Sequence, residues 1–288
     1  MSDVDFVVVG NVARDLVPGG WRAGGTAVYA ALTARGLGRR VGVVTAAPAE
    51  VVAAAPLAGV TVVRAPAAES PTFENVYTAA GRVQYLRAAG VPVPATAVPA
   101  AWRSARVALL GPVFHEVSAE VAAAFTGLRG LCAQGFLRRV DPHGRIHPVP
   151  PEAWPAAEIL GHTDVLVVSE EDLGGRQDGV VAQWAARVPV LAVTLGRRGA
   201  RLHARGRWRH IPACPAREVD PTGAGDAFAA ALLVALDEGA GPWQAACFAA
   251  ATASLVVEAE GPAMPDREAV LTRMRVIARP HPQPPGPP

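Results

Sequence analysis

The residues best suited to chemistry form one string: residues 220–226 read Asp-Pro-Thr-Gly-Ala-Gly-Asp, directly before the apolar run AFAAALLVAL. That run predicts a helix, so Asp226 would lie in its first turn, behind two glycines. Glycines let backbone N–H groups approach an anion, and the helix N-terminus adds unpaired donors and a positive dipole end. A phosphoryl group in transfer needs such a cradle, and a neighbouring carboxylate can accept a proton from an attacking hydroxyl. The alternative is a tight turn in which Asp226 only caps a helix.

The basic residues restrict this chemistry further, because the sequence contains no lysine and all 27 are arginine. A P-loop lysine, a Schiff base and a lysine general base are therefore excluded. Any phosphate must be held by arginine, by backbone N–H groups or by a metal ion. The arginines are spread along the chain and nearly balanced by acids, with a net charge of +2, which argues against a nucleic-acid surface.

Length and composition indicate a compact globular protein, since 51% of the 288 residues are hydrophobic and 18% are charged. Every apolar stretch is interrupted before it reaches membrane-spanning length, so no membrane association is expected. The start MSDVDFVVVGN carries acidic residues and is not typical of a signal peptide. Cys132, Cys214 and Cys247 lie far apart and predict reduced thiols in a cytoplasmic protein.

Strand and helix patterns alternate along the chain, which predicts an α/β fold with a mostly parallel sheet covered on both faces. Strands are predicted at 4–9, 41–45, 60–63, 107–110, 128–132, 164–168 and 190–194, and hairpins at 72–86 and 202–211. Helices are predicted at 24–37, 49–57, 118–125, 180–186, 227–236 and 243–257. We expect a single domain over residues 1–278, followed by an unpacked Pro-rich tail at 279–288.

The string at 220–226 resembles the DTxGAGD signature of the ribokinase-like (PfkB) carbohydrate kinases. Three other segments are similar to motifs of that family in the same order: residues 10–15 at the end of the first strand, the Gly24-Gly25 pair, and the nucleotide loop Thr-Leu-Gly-Arg-Arg-Gly-Ala at 194–200. The resemblance implies a three-layer α/β/α fold with a small β lid. It also implies an ATP-dependent kinase that acts on a small polyol.

The resemblance further implies roles for single residues. Asp226 would be the catalytic base, beside an anion hole formed by Gly223, Ala224 and Gly225. The nucleotide is expected at Ser169, Thr194, Gly196, Gly199, Thr222, Gly223 and Gly225. Substrate contacts are expected from Asn11, Asp15, Gly24, Gly25, Thr26, Gln134 and Asp226. Mg²⁺ would be held through water by Glu171 and Asp172, and K⁺ is a further expectation beside Asp220 and Thr222.

Two places depart from the family pattern. The usual N-x-x-E motif reads Ser169-Glu170-Glu171-Asp172, in which Asp172 can still reach Mg²⁺ through water. An acidic helix start capped by Ser169 explains the same residues equally well. Tyr29 stands where many sugar kinases of the family carry an asparagine that contacts substrate, so ribose and typical ketohexoses are less favoured.

A finer resemblance points to the inositol-kinase branch, through GNVARDL, PTFENVY and AQGFLRRVDPHGR. It would direct Gln134 and Arg138 towards the substrate, although a surface loop is the other interpretation. A cyclitol such as myo-inositol is therefore one predicted substrate. A nucleoside or hydroxymethylpyrimidine kinase and a non-catalytic sugar or nucleotide sensor remain alternatives.

The lid can be predicted from segment lengths. Only eight residues, 16–23, separate Asp15 from Gly24, which suggests one short excursion around 18–20 and no full hairpin. The hairpin at 72–86 would then be the main cover, with Phe73, Val76 and Tyr85 on its apolar face. An exposed edge strand in this lid also predicts pairing with a second subunit as a homodimer.

Overall fold

A nine-stranded sheet forms the centre of the protein. The computed structural model describes residues 4–78, 81–174 and 178–277. The strands of this sheet are β1 (Phe6–Val9), β4 (Val41–Ala47), β5 (Thr61–Pro66), β8 (Val107–Leu110), β9 (Leu128–Cys132), β12 (Val165–Ser169), β13 (Val190–Thr194), β14 (Ala200–Ala204) and β15 (Arg207–Ile211). Their order is β15-β14-β13-β12-β9-β8-β1-β4-β5. From β5 to β13 all pairs are parallel, and β14 and β15 add an antiparallel edge.

Helices cover both faces of this sheet, which makes three layers. They are α1 (Thr26–Gly36), α2 (Ala49–Ala54), α3 (Ala119–Ala123), α4 (Ala157–Leu160), α5 (Asp178–Ala185), α6 (Ala224–Asp237), α7 (Pro242–Val256) and α8 (Arg267–Ile277). Side chains alternate across a strand, so Phe6 and Val8 join the core beneath α1, α6 and α7. Val7 and Val9 join the opposite core beneath α3, α4 and α5. The predicted α/β fold is confirmed, while α4 and α8 were not predicted.

A second sheet, called here the lid sheet, has four strands in the order β3-β2-β6-β7. They are β2 (Ala13–Val17), β3 (Gly20–Gly24), β6 (Thr72–Thr78) and β7 (Gly81–Ala88). The predicted 72–86 hairpin is confirmed, but the prediction that 16–23 is too short for another was wrong. β2 and β3 pair as a hairpin because Asp15 and Gly24 are themselves strand residues, so only Pro18 and Gly19 form the turn. β3 and β7 are the edges of the lid sheet, and their pairing with a second subunit stays a prediction.

The lid sheet is anchored to a small hairpin that the sequence did not predict, β10 (Arg138–Val140) with β11 (Ile146–Pro148). The N–H of Leu86 donates to the carbonyl of Gly144 at 2.8 Å. Phe73 is buried with Ala13 and Val113, and Leu86 and Ile146 pack against this cluster. β2 begins just after β1 ends, and β3 leads straight into α1. The lid sheet therefore lies at the carboxyl end of β1, where ligands bind in open α/β sheets. The predicted tail at 279–288 lies outside the described residues.

Candidate active site

Asp226 lies in the first turn of α6, as the sequence predicts. Gly223 precedes the helix with a φ of 79°, in the left-handed region that favours glycine. A methyl group on Gly223 would also overlap the ring of Tyr29. Among the described residues no side chain caps this helix. The Ala224 N–H donates to the carbonyl of Pro221 at 3.2 Å, so an anion would depend on the other N–H groups of this first turn. The interpretation of Asp226 as a mere cap is not supported.

Thr26 is the direct partner of this carboxylate. Its hydroxyl donates to Asp226 Oδ1 at 2.7 Å from the first position of α1. Gly25, with a φ of 83°, begins that helix, and a Cβ on it would lie 2.9 Å from the carbonyl oxygen of Asn11. Two helix N-termini thus meet at one point. Thr26 orients the candidate base, and its predicted contact with substrate stays a prediction.

The electrostatics of the site raise the pKa of Asp226 towards neutral pH. Burial raises the pKa of Asp226 to about 6, and the Thr26 hydrogen bond and the positive charge of Arg138 oppose that rise. The negative charges of Asp172 and Asp15 add to it. A carboxylate with such a pKa remains ionised at neutral pH and is also basic enough to accept a proton from a hydroxyl.

Asp15 and the Gly24-Gly25 pair lie close together at the β2–β3 hairpin of the lid sheet. Asp15 is partly buried on β2, and a methyl group on Gly24 would overlap its Oδ2. The pair Gly24-Gly25 is thus required by close approach to Asp15 and by a positive φ. This geometry leaves the Asp15 carboxylate in the electrostatic neighbourhood of Asp226.

Asn11 has a structural role, and its predicted contact with substrate stays a prediction. It is fully buried; its amide oxygen accepts the N–H of Ala46 at 2.8 Å and its amide nitrogen donates to the carbonyl of Val91 at 2.8 Å. Its backbone N–H donates to Glu116, whose buried carboxylate also accepts from Val113. These bonds fix the loops after β1 and β8.

Tyr29 fills the space between the glycine pair and residues 220–226. It is 3% exposed. Burial raises the pKa of Tyr29, and the charges of Asp15, Asp220 and Asp226 raise it further. Its hydroxyl therefore stays protonated at neutral pH, in a region shared by three carboxylates. This ring occupies volume that an asparagine would leave open.

Arg138 brings positive charge to the same region from the start of β10. Its Nη1 donates to the carbonyl of Val113 at 3.1 Å, and its guanidinium lies over the ring of Phe73 at 5.5 Å. Its charge lowers the pKa of both Asp226 and Asp172. Gln134 is partly buried in the short 3₁₀ turn Gln134–Leu137 just before it. Arg138 is therefore not a residue of a solvated surface loop.

The expected donor side lies at the carboxyl ends of β12 and β13, where Ser169 and Thr194 are register partners. Gly196 and Gly199 follow with φ values of 56° and 89°. Ser169 Oγ donates to Asp172 Oδ2 at 2.5 Å, and the Asp172 N–H donates back to Ser169 Oγ at 3.0 Å. Ser169 thus caps the acidic turn and at the same time fixes the Asp172 carboxylate.

The residues expected to hold Mg²⁺ fit an outer position around that ion. Burial raises the pKa of Asp172, and the negative charge of Glu171 contributes, which a nearby cation would relieve. Within the described ranges no group of three or more His, Cys, Asp or Glu side chains could hold a metal ion directly. Contact through water, with phosphate oxygens completing the shell, suits these two carboxylates.

The loop expected to hold K⁺ has a partner that the sequence did not reveal. Asp220 Oδ1 accepts the N–H of Thr222 at 2.9 Å, and Oδ2 accepts the N–H of Gly261 at 3.1 Å. Nη1 of Arg22 lies 3.7 Å from Asp220 Oδ2. Arg22 is the cross-strand partner of Asp15, so recognition of the β2–β3 hairpin would have been the signal for it.

Comparison with known proteins agrees with this geometry. Residues 139–269 match the model of the pfkB family carbohydrate kinases. The chain is 36% identical to a ribokinase from Arabidopsis thaliana over 154 residues, which are 47% of this chain and 38% of that protein. It is 34% identical over 108 residues to a nucleoside kinase from Methanocaldococcus jannaschii, covering 36% of each. It is 34% identical over 104 residues to an inositol 3-kinase from Zea mays, covering 36% of this chain and 26% of that one. The chain thus spans well under half the length of these relatives.

Solved structures resemble the whole fold. A pyrophosphate-dependent kinase in the ribokinase family, complexed with a pyrophosphate analog and myo-inositol, superposes with a TM-score of 0.76 at 22% identity, over 92% of this chain and 99% of that one. Arabidopsis thaliana ribokinase complexed with ribose and ATP has a TM-score of 0.69 at 24% identity, over 96% and 99%. These likenesses show the ribokinase fold. At these identities the structures show the fold alone, and the match to the pfkB family carbohydrate kinases covers residues 139–269, less than half of the chain.

Proposed function

We propose that this protein transfers the γ-phosphoryl group of ATP, with Mg²⁺, to a hydroxyl of a small polyol, either a sugar or a cyclitol such as myo-inositol. One observation carries the proposal: Asp226 has a pKa of about 6 and lies at an uncapped helix N-terminus, oriented by Thr26. A proton acceptor beside an anion cradle would support this transfer. In-line phosphoryl transfer needs both.

The acceptor hydroxyl would be activated by Asp226. Asp15 would accept hydrogen bonds from further hydroxyls of the substrate, and Gln134 and Arg138 would offer further polar groups. As the acceptor oxygen attacks the γ-phosphorus, its proton would pass to the Asp226 carboxylate. The bond between the γ-phosphorus and the bridging oxygen would break, and ADP would leave. Thr26 holds Asp226 Oδ1, at 2.7 Å, throughout this step.

The transferring phosphoryl group would lie against the backbone of Gly223, Ala224 and Gly225. Gly223 has a left-handed φ directly before α6, and the dipole of this helix adds positive potential at its N-terminus. Bound Mg²⁺, near Asp172 and Glu171, would neutralise charge on the donor phosphates. Ser169 and Thr194, paired at the carboxyl ends of β12 and β13, would contact the donor nucleotide.

The aromatic rings near Asp15 favour a polyol over a nucleoside. A nucleobase needs an open ring face to stack on. The Phe73 ring is 3% exposed beneath Arg138, and Tyr29 is pressed against Gly223. Asp15 and Asp226, whose charges act on Tyr29, instead offer carboxylates as hydrogen-bond acceptors, which suit a molecule rich in hydroxyls. The inositol 3-kinase from Zea mays supports a cyclitol as one member of this class.

Transfer can be measured with purified protein, Mg²⁺ and a panel of acceptors: myo-inositol, ribose, fructose and inosine. ATP and pyrophosphate are both supplied as donors, because similar structures include pyrophosphate-dependent kinases. We expect a phosphorylated polyol with ATP, and an Asp226→Asn variant slower in kcat by about 10²–10⁴-fold.

A matched control is Asp237→Asn, which removes a carboxylate from the other end of the same helix, α6, and should keep turnover. Binding of a sugar or nucleotide without turnover would identify a sensor. Transfer to inosine alone would identify a nucleoside kinase, and transfer from pyrophosphate alone would change the donor. Near-normal turnover by Asp226→Asn would contradict the mechanism.

A further inference from the structure

Arg22 joins the lid hairpin to the loop before α6. It lies on β3 directly across from Asp15. Its Nη1 is 3.7 Å from Asp220 Oδ2, and its Nη2 is 3.8 Å from Glu260 Oε1. A single guanidinium therefore faces two carboxylates from separate segments of the chain. Its side chain is 35% exposed, so the charge is partly shielded from solvent.

The backbone beneath this guanidinium is shaped to admit it. Gly261 has a φ of 71°, and a Cβ there would lie 2.5 Å from Arg22 Nη1. The N–H of Gly261 donates to the same Asp220 oxygen that faces Arg22. Asp220 thus ties residues 220–222 to residues 260–261, and Arg22 covers the junction.

A free monovalent cation fits this junction poorly. Potassium would need Asp220 as an oxygen ligand, but each of its oxygens already accepts a backbone N–H, and Oδ2 also faces a fixed positive charge. A second cation within a few ångströms of Arg22 would be repelled. We propose that Arg22 supplies, as part of the chain, the positive charge that supports the anion-hole loop in place of K⁺.

This inference rests on the proposed kinase function and extends it. Arginine remains charged at every physiological pH, so the support would not depend on the salt present. The same side chain would also fix the hairpin that carries Asp15 relative to the loop that carries Asp226. Arg22 would thus be a positioning residue for both the acceptor and the phosphoryl group.

The test compares the wild type with Arg22→Gln in KCl and in N-methyl-D-glucamine chloride at one ionic strength. Wild-type kcat should agree between the two salts within about twofold. Arg22→Gln should lose about tenfold in the organic salt, because the loop loses a supporting charge, and K⁺ should restore part of the loss. The matched control is Arg87→Gln, which removes a lid-sheet ion pair with Glu74 and should behave as the wild type in both salts.

Melting temperatures in the same two salts give a readout that needs no substrate. K⁺ should raise the melting temperature of Arg22→Gln and leave that of the wild type unchanged. Activation or thermal stabilisation of the wild type by K⁺ would overturn the proposal, as would an Arg22→Gln variant insensitive to K⁺ in both measurements. If Arg22→Gln does not fold, the wild-type comparison alone decides. If no acceptor is phosphorylated, the kinase function fails, while the melting temperatures still test the cation replacement.

Discussion

Replacing Thr26 by valine isolates the hydrogen bond that holds the candidate base. Valine keeps the shape of the side chain, which matters because Gly111 packs closely against the Cβ and Cγ2 of Thr26. Only the donor to Asp226 Oδ1 is lost. Since that donor stabilises the ionised carboxylate, its removal must raise the pKa of Asp226.

The size of the effect follows from the value of such a bond. A hydrogen bond to a charged group contributes about 1.5 kcal/mol or more, which corresponds to roughly one pKa unit. The pKa of Asp226 would move from about 6 towards roughly 7. At pH 6 the ionised fraction would fall roughly fivefold, whereas at pH 8 it would change by less than about twofold.

The assay is the pH profile of kcat and kcat/KM between pH 5 and pH 9 with the identified acceptor. The acid limb of the Thr26→Val profile should move to higher pH, and the wild-type and Thr26→Val profiles should coincide at alkaline pH. Thr33→Val is the control, because Thr33 on the same helix donates to the carbonyl of Tyr29 at 2.8 Å and does not touch Asp226. An unmoved acid limb, or a loss equal at every pH, would refute the assignment of Asp226 as a base held by Thr26.

Three further predictions concern carboxylates. The pKa of Asp226 is higher in the folded protein than its ordinary value, so its contribution to stability is full below about pH 4 and is lost as pH rises through about 6. Asp226→Asn should therefore raise the free energy of unfolding at pH 8 by on the order of 2 kcal/mol, and by little at pH 4. Asp237→Asn should lower the free energy of unfolding, because Asp237 pairs with Arg39 at 2.7 Å. Denaturant unfolding measures both variants. A destabilised Asp226→Asn at pH 8 would contradict the prediction for Asp226. Asp15→Ala should raise KM for the polyol at least about tenfold and leave that of the donor within about twofold; equal damage to both would make Asp15 structural.

The sequence predicts those parts of the fold in which local pattern and tertiary packing agree. The bounds of β8 and β13 match the predicted strands residue for residue, and so do those of β9, although it contains Arg129 and Gly130. A strand buried on both faces must be continuously apolar, so its limits are visible in the composition. Asp226 was equally visible, because a glycine-rich turn before an apolar helix restricts where the carboxylate can lie.

What could not be predicted depends on pairing between distant residues. The strands of the β2–β3 hairpin are short and mix charged with apolar residues, so they show no periodic pattern, and their pairing is visible only in the structure. Asn11 follows a buried strand as a ligand-binding residue would, yet its amide is taken by Ala46 and Val91, which lie 35 and 80 residues away. No local pattern reveals such partners. The link from Thr26 to Asp226 spans 200 residues and is hidden for the same reason.

Because the sequence contains no lysine, arginine supplies the fixed positive charge near the carboxylates of the site. The negative charges of Asp172 and Asp15 raise the pKa of Asp226, and the negative charge of Glu171 raises the pKa of Asp172. Arg138 opposes this on the side of Asp226 and Asp172, and Arg22 faces Asp220 beside the Asp15 hairpin. Because neither guanidinium can lose its proton, the titration of the site falls to its carboxylates. A pH profile of the proposed phosphoryl transfer should therefore report Asp226 before any basic group, so that a shift of this profile in Thr26→Val can be assigned to Asp226.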